Sequence, residues 1–325
     1  MAITVGANQY GKAEIHLVRV TRRGERHDLA DLTVSVALAG DLDAVHIEGD
    51  NTHVVATDTQ KNVVFALAKE HPVRAVEDFA LLLARFFVEE YTAITRARVH
   101  VVEQAWQRMA VRGAGHPHAF VQAPGERRTA TVAYRQGAYR QGADGEQCCV
   151  LSGLAALTVL KSTGSEFHGY LKDRYTTLEE TRDRILATEI DARWRHSGLD
   201  VDWSKSYERT RGALLEAFAT THSLSLQQTL YAMGEAALTT SPEVAEIRLR
   251  MPNKHHLEVD LSPFRLRNDG EVFYAADRPY GLIEGTVTRG ATGAAAPGTG
   301  SGSGSGSGSA SEAGAMAAWA WPWGG

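Results

Sequence analysis

Residues 157–189 read LTVLKSTGSEFHGYLKDRYTTLEETRDRILATE, and this stretch joins two secondary-structure elements across a polar break. Side chains alternate over its first five positions, which predicts a β-strand. The run Ser-Thr-Gly-Ser at residues 162–165 ends that strand. Further on, Thr177 precedes Glu180 by three positions, which is the spacing of a helical capping box. The stretch therefore predicts a strand, a loop and a helix that begins at Thr177.

Three side chains within this stretch indicate a binding site. Phe167 and Tyr170 form an aromatic pair, and Arg184 falls two turns into the predicted helix, since one turn takes roughly 3.6 residues. An aromatic face, a helix N-terminus and a guanidinium are together suited to hold a flat anion. The alternative interpretation is a loop aromatic packed on the core, beside a surface salt bridge.

The composition limits the class of protein. The chain has 325 residues, of which 43% are hydrophobic and 22% charged, and its net charge is -5. These values are typical of a soluble globular protein, and the acidic balance argues against general nucleic-acid binding. No apolar run reaches the ~18 residues that a membrane helix requires. We expect a cytoplasmic protein, because no secretory signal is recognisable and the adjacent Cys148 and Cys149 fit a reducing compartment.

Hydrophobic periodicity predicts two halves of similar organisation, each with strands, then helices, then strands. In the first half the predicted strands are residues 10–21, 32–38, 97–109 and 118–134, and the predicted helices are residues 59–69 and 75–91. In the second half, apart from the helix at Thr177, the strands are residues 150–161, 189–196, 246–250 and 256–261, and the helices are residues 205–221 and 224–239. The last two strands should form a hairpin that turns at Pro252-Asn253. This order predicts an α+β fold of antiparallel sheets with helices on one face.

The composition divides the chain into three parts. Residues 1–145 and 146–289 form two predicted domains, and residues 290–325 form a tail. The tail begins with a Gly/Ser-rich stretch that is typical of a flexible linker. It ends with three tryptophans, Trp319, Trp321 and Trp323, within five residues. The tail is either a disordered extension, or a docking peptide or engineered tag that presents aromatic anchors to a partner.

Two residues near the N-terminus are candidates for proton transfer. Lys12 lies at the start of a predicted internal strand, where burial would disfavour the charged ammonium and allow the amine to act as a general base. Thr57 lies where a strand gives way to a helix, and its hydroxyl can both donate and accept a hydrogen bond. The alternatives are a solvated strand lysine, and a threonine or aspartate that caps the helix.

Polar residues near the C-terminal end of the second half could complete a site. Asn253 and His255 should point to the same side, because side chains alternate along a strand. Gln227 carries an amide that can pair with a ring carbonyl and a ring N–H together. Metal ligation by His255, His256, His116 or His118 is disfavoured, since no carboxylate or cysteine has suitable spacing.

Five segments, in order along the chain, resemble the urate oxidase (uricase) family. The longest is STGSEFHGYLKDRYTTLEETRDRIL at residues 162–186, and the others are QYGK at 9–12, ATDTQKN at 56–62, SLQQTLY at 225–231 and PNKHH at 252–256. The resemblance extends from about residue 8 to residue 289 and excludes the tail. It implies two tandem tunnelling-fold (T-fold) domains, whose sheets join across subunits into a barrel, and a homotetramer.

The resemblance also implies the reaction and the proton-transfer residues. Urate would be oxidised by O2 to 5-hydroxyisourate and hydrogen peroxide, in purine catabolism. Lys12 and Thr57 would form the relay that removes a proton from urate, assisted by His255. Asn253 and Thr57 would hold dioxygen. No cofactor is expected, because the deprotonated purine can reduce O2 directly, and the sequence has neither a P-loop nor a persuasive dinucleotide fingerprint.

The remaining residues implied by the resemblance would bind the substrate. Phe167 would stack on the purine, while Arg184 and Gln227 would grip its two ends. The other members of the set are the backbone N–H groups of Asp58 and Leu226, and Leu178 in the pocket wall. Because Thr57 and Asp58 would come from a neighbouring subunit, an isolated chain should be inactive. The alternatives are a zinc-dependent pterin or purine hydrolase and a non-catalytic purine-binding or assembly protein.

Overall fold

The computed structural model describes residues 3–136 and 148–290. Its ten strands are β1 (Tyr10–Arg23), β2 (Arg26–Gly40), β3 (Ile94–Gln104), β4 (Trp106–Val111), β5 (Ala114–Gln122), β6 (Arg127–Arg135), β7 (Cys148–Lys161), β8 (Leu186–His196), β9 (Val244–Glu258) and β10 (Phe273–Thr288). The α-helices are α1 (Asp43–Ile47), α2 (Thr57–Glu70), α3 (Val76–Glu90), α4 (Trp203–Thr220) and α5 (Leu226–Thr240).

Eight of these strands form one sheet in the order β1-β2-β3-β6-β7-β8-β9-β10. Every neighbouring pair in it is antiparallel, and β4 pairs with β5 in a separate ribbon. The predicted α+β class is therefore confirmed. The hairpin of β1 and β2 and the positions of four helices, α2 to α5, also agree with the sequence prediction.

The helices cover one face of the sheet. On α3, Phe79, Leu83 and Phe87 are buried in a core that includes the inward residues of β1, β2, β3 and β6. A second core lies over β8 and β9, where Trp194 and Met233 are fully buried. The two cores lie side by side because β6 pairs with β7. The predicted domain boundary at 145/146 and the tail from residue 291 lie outside the described residues, and the division into two domains stays a prediction.

The predicted helix at Thr177 is wrong. Residues 170–185 form no helix. Instead, the Glu180 carboxylate accepts a hydrogen bond from the Gly169 backbone N–H at 3.1 Å and pairs with Lys172 at 3.1 Å. Leu178 is 59% exposed, so the segment buries no apolar stripe that would stabilise a helix. The capping-box spacing does not produce a helix here, because Glu180 accepts its hydrogen bond from the backbone N–H of Gly169 and not from that of Thr177.

The predicted hairpin at Pro252-Asn253 is also wrong. Strand β9 continues without a break through both residues, with Pro252 opposite Leu282 of β10. The sequence reading missed β10, which is the true partner. Met251 and Leu249 are fully buried, so the alternating pattern of β9 outweighs the local turn signal. Two predicted strands of the first half were also too long, since residues 97–109 and 118–134 each divide between the main sheet and the β4–β5 ribbon.

A buried polar network connects the two cores. The Glu77 carboxylate is 0% exposed and accepts from Arg128 at 2.8 Å and from the Ser152 hydroxyl at 2.6 Å. Because Ser152 gives its proton to Glu77, the 2.9 Å contact to His196 requires Nε2 of the imidazole to donate. Nδ1 of His196 is buried without a hydrogen-bond partner. Burial accordingly lowers the pKa of His196 to about 4.

The His196 imidazole should make the protein sensitive to acid. Its pKa is about 4 when folded, against 6.5 for the free side chain, so the unfolded chain binds the extra proton between these values. The contribution of the neutral imidazole to the free energy of unfolding is complete above pH 6.5. It is lost as the pH falls towards 4, at ~1.4 kcal/mol per pH unit. His196→Gln keeps a donor for Ser152 and should reduce this slope, and the part that remains includes His100, whose pKa burial also lowers to about 4. Urea unfolding midpoints between pH 7.5 and 4.5 measure it.

His71→Gln is the matched control, because His71 is exposed at the end of α2. It should leave the pH dependence of the midpoint unchanged. A wild-type slope in His196→Gln would show that the imidazole is not the group that takes up the proton.

Candidate functional site

Phe167 and Arg184 are brought together by backbone pairing within a loop. Phe167 and Thr181 exchange N–H···O hydrogen bonds of 2.9 and 3.0 Å, and the N–H of Arg184 donates to the carbonyl of Ser165 at 2.9 Å. The chain therefore folds back on itself, and the Arg184 guanidinium carbon lies 5.3 Å from the centroid of the Phe167 ring. Phe167 and Arg184 therefore lie close together, as predicted, but Arg184 lies in a loop and not on a helix.

Tyr170 supports the Phe167 ring. The two rings are stacked, with centroids 4.9 Å apart and planes inclined by 15°. The Tyr170 hydroxyl donates to the Leu178 carbonyl at 2.6 Å. The aromatic pair seen in the sequence is thus a physical contact, and it also fixes the backbone beside the exposed Leu178 side chain. The orienting role of Tyr170 was missed from the sequence, since its partner carbonyl lies eight residues away.

Glu166 connects this loop to the residues that immediately precede α5. Its carboxylate contacts His168 at 2.8 Å and His222 at 2.6 Å, and these contacts lower the pKa of Glu166. The N–H of Glu166 donates to the Ser223 carbonyl at 2.7 Å. The predicted site loop and the helix that carries Gln227 are therefore one connected unit. The role of Glu166 could not be predicted from the sequence, because its partner His222 lies on a separate segment.

Helix α5 begins at Leu226, with Ser225 as its N-cap. The Ser225 hydroxyl accepts from the N–H of Gln228 at 3.1 Å. The first backbone N–H groups of a helix have no partner within the helix, so those of Leu226 and Gln227 can serve a ligand. Leu226 is buried at 2% exposure, and the Gln227 side chain is exposed.

Asn253 and His255 lie on β9. Their side chains lie on the same face of the strand as that of Met251, which is the face that the helices cover. Asn253 is paired with Thr188 on one side and Gly281 on the other. Burial lowers the pKa of His255, and the positive charge of Arg184 lowers it further. The structure thus brings His255 close to Arg184, and the imidazole is neutral at neutral pH.

Lys12, Thr57 and Asp58 form a second group. Lys12 precedes a β-bulge in β1, which is an edge strand and not the predicted internal strand, and Thr57 is the first residue of α2. The Tyr10 hydroxyl bonds the Val55 backbone on both sides, accepting from its N–H at 2.8 Å and donating to its carbonyl at 3.2 Å. This contact ties the start of β1 to the start of α2. The hydrogen bond from Lys61 is the main cause of the lowered pKa of Asp58, and the charge of Lys12 also contributes.

Gly11 and Ala56, the residues that precede Lys12 and Thr57, have different structural positions. A Cβ on Gly11 would lie 1.8 Å from the Val36 carbonyl oxygen, so only glycine allows β2 to approach β1 here. Ala56 occupies the N-cap of α2, without a side-chain hydrogen bond. Thr57 is therefore not a capping residue, and its side chain is exposed.

The two groups lie far apart in one chain. Lys12 is on β1, at one edge of the sheet, and His255 is on β9, six strands further along. With a spacing of roughly 4.8 Å between strands, this separation is about 29 Å along the sheet. A single chain therefore does not bring all the predicted site residues together.

The structure gives little support to metal binding by histidines. His116 and His118 have ring centroids 4.6 Å apart, edge to face, on β5. In residues 3–136 and 148–290 no group of three His, Cys, Asp or Glu side chains could hold a metal ion.

Within residues 3–136 and 148–290, no helix is both long and apolar enough to cross a membrane.

Comparisons with known proteins show which family the sequence resembles. The uricase family profile matches residues 8–133 and 150–284. A uricase from Arthrobacter globiformis is 49% identical over 295 residues, which cover 91% of this chain and 93% of the relative. A uricase from Aspergillus flavus is 38% identical over 304 residues, covering 88% and 97%.

Solved structures show the same fold. The crystal structure of the Arthrobacter globiformis uricase superposes with a TM-score of 0.83 at 48% identity, covering 92% of this chain and 99% of that one. A urate oxidase from Bacillus sp. TB-90 gives a TM-score of 0.74 at 23% identity, covering 87% and 100%. At that lower identity the likeness concerns the fold alone.

The Glu166 contacts should control the order of the site loop. Glu166→Gln removes the charge that holds His168 and His222, so the loop should open more often. Hydrogen exchange measured by mass spectrometry should become several-fold faster at the backbone amides of Phe167 and Arg184. Glu179→Gln is the matched control, because Glu179 is exposed in the same segment. Equal exchange in both variants would show that Glu166 does not hold the loop.

Proposed function

This chain belongs to the uricase family, and we propose that it oxidises urate with O2 to 5-hydroxyisourate and hydrogen peroxide without a cofactor. The observation that carries the proposal is the Arg184 guanidinium, whose carbon lies 5.3 Å from the centroid of the Phe167 ring and whose charge adds to the effect of burial in lowering the pKa of His255. Neither a zinc-dependent hydrolase nor a non-catalytic purine-binding protein is supported by the relatives.

The loop and α5 would bind urate. Phe167 offers a flat apolar surface for the purine, and its ring orientation is set by Tyr170. Arg184, beside that surface, can donate two parallel hydrogen bonds to an anionic edge. Gln227 would pair with the other end of the purine, and the N–H of Leu226 and the side chain of Leu178 would complete this half of the site.

The reaction would need a base and a place for O2. Lys12 in its uncharged form would take a proton from urate, and Thr57 would relay it. His255 would assist, because its lowered pKa leaves it neutral and able to accept a hydrogen bond. Asn253 and Thr57 would hold O2 beside the purine. A further deprotonated urate anion is electron-rich enough to reduce O2 directly, so the protein has only to position, deprotonate and exclude water.

A complete site would require two copies of the chain. Lys12, Thr57 and Asp58 of one copy would face the Phe167 loop of another, with the backbone N–H of Asp58 donating to urate. The strand order supports this, because it separates the two groups by six strands within one chain. A homotetramer in which the sheets close into a barrel would supply such pairs. A cytoplasmic location, which fits the free Cys148 and Cys149, is part of the same proposal.

Lys12→Met should abolish turnover and leave urate binding largely intact, because it removes the base but not the surfaces that hold the purine. Turnover is measured by the loss of urate ultraviolet absorbance together with O2 consumption, with no metal or flavin added. Binding is measured by equilibrium dialysis. Lys69→Met, an exposed lysine at the end of α2, is the control and should keep normal activity. Normal turnover in Lys12→Met would exclude this lysine as the base.

Mixing two inactive variants should test the shared site. Lys12→Met damages one group and Arg184→Gln damages the other. If each site takes one group from each of two copies, refolding the two variants together should restore about a quarter of the wild-type activity per site, since random pairing leaves about one site in four intact. Mixing folded oligomers without exchange is the control. No recovery in verified mixed oligomers would place the complete site within one chain.

A further inference from the structure

The candidate base Lys12 lies on the helix-covered face of the sheet because of an irregularity in β1. Between Lys12 and Ile15, three steps along β1 match two steps along β2, so β1 contains one extra residue. Glu14, within this β-bulge, has φ 56°, in the left-handed region. Lys12 lies directly opposite Val36, which is buried in the first core, and opposite residues of a strand pair share a face. Without the extra residue, alternation would turn Lys12 to the other face.

Tyr10 lies on the same face, two residues before Lys12. It is opposite the buried Leu38, and its ring packs against the core that α2 helps to form. Its hydroxyl accepts from the Val55 N–H at 2.8 Å and donates to the Val55 carbonyl at 3.2 Å. Val55 in turn lies two residues before Thr57, the candidate relay. One hydroxyl therefore connects the segment of the candidate base to the segment of the candidate relay.

Gln60 contacts the same carbonyl from within α2. Its Nε2 donates to the Val55 carbonyl at 3.0 Å, so this oxygen accepts two side-chain hydrogen bonds, one for each lone pair. The N-cap residue Ala56 makes no side-chain hydrogen bond, so α2 begins without the usual cap. Tyr10 and Gln60 thus hold the backbone at the start of α2, where no capping side chain does so.

The stability of α2 does not by itself account for a glutamine at position 60. Gln60 is 0% exposed, and its buried Oε1 has no hydrogen-bond partner among the residues that the structure describes. A buried oxygen without a partner destabilises the fold, whereas a methionine of similar length would fill the space without this cost. The amide is present in spite of that cost, which indicates a role for the hydrogen bond from Nε2.

We propose that Tyr10 and Gln60 are positioning residues, which set the distance between the Lys12 amine and the Thr57 hydroxyl through their common partner Val55. This role rests on the proposed urate chemistry, in which Lys12 and Thr57 transfer a proton. Such a transfer requires donor and acceptor within hydrogen-bond reach, roughly 2.6–3.2 Å, and a small displacement slows it. The two side chains act on the rate of the reaction without touching urate.

Tyr10→Phe removes the hydroxyl and keeps the ring, so the variant should fold. Its kcat should fall roughly tenfold, the effect of about one hydrogen bond on the barrier. Its KM should change by less than about threefold, because Phe167 and Arg184 still hold the purine. The solvent deuterium isotope effect on kcat should rise, since proton removal becomes slower relative to the other steps. A smaller folded fraction alone would lower kcat and leave the isotope effect unchanged.

Tyr207→Phe is the matched control. Tyr207 is buried in the second core, away from Lys12 and Thr57, and its hydroxyl donates to Glu126 at 2.6 Å. This variant also loses one hydrogen bond of a tyrosine hydroxyl, so its thermal unfolding midpoint should fall. Its kcat and its isotope effect should equal those of the wild type.

Gln60→Met separates positioning from stability. It removes the Nε2 donor together with the unpaired Oε1, so the thermal unfolding midpoint should stay the same or rise. Its kcat should still fall several-fold, and its isotope effect should rise. The inference is overturned if Tyr10→Phe and Gln60→Met both keep the kcat and isotope effect of the wild type, or if kcat in each falls only in proportion to the folded fraction.

Hydrogen exchange without urate distinguishes this inference from the proposed function. In Tyr10→Phe, peptides that cover residues 54–58 should exchange several-fold faster than in the wild type, because the Val55 N–H loses its acceptor. If the wild type does not oxidise urate, the proposed reaction is wrong and the relay role fails with it. If the wild type oxidises urate and the exchange in Tyr10→Phe is unchanged, only the positioning role is wrong.

Discussion

Uninterrupted backbone pairing from β1 to β10 is the constraint on which the position of every candidate residue depends. It holds β1 and β9 six strands apart, so Lys12 and His255 cannot meet within one chain. Among the residues that the structure describes, it also leaves β1 and β10 as the edge strands of the sheet, and an exposed edge is able to pair with a further strand. The open edges and the separation of the two groups of candidate residues thus have one physical origin, and assembly of the kind proposed would resolve both.

Elements that bury their own apolar stripe were predictable from the sequence. Helix α3 places Phe79 and Leu83 in the core, as its periodicity indicates, and the alternation in β1 and β2 gives the observed hairpin. The failures came from short local signals with distant partners. Glu180 accepts a hydrogen bond from the backbone of Gly169 instead of capping a helix. Pro252 lies inside β9 because β9 pairs with β10, a strand that was not predicted from the sequence.

Of the candidate site, the proximity of Phe167 and Arg184 was predictable from the sequence, and the backbone geometry that produces it was not. The sequence indicated that Phe167 and Arg184 act together, and the structure places them 5.3 Å apart. The backbone structure that brings them together differs from the prediction, because a bridge between Phe167 and Thr181 replaces the expected helix. The parts that the sequence could not give are the contacts between separate segments, such as that of Glu166 with His222. No spacing rule connects residues that are joined only by the fold.

The choice between lysine and arginine follows from what each position has to do. A guanidinium keeps its charge even when burial lowers its pKa, as it does for Arg98 and Arg193, so arginine remains a cation in a half-buried position. A general base needs the opposite property, an amine that can lose its proton, and the candidate base Lys12 is a lysine. The two strand faces divide in the same way. The helix-covered face of β9 carries His255, whose pKa is lowered by burial, while the opposite face carries Arg248 and Arg250, which form ion pairs with Glu246, Asp191 and Glu284.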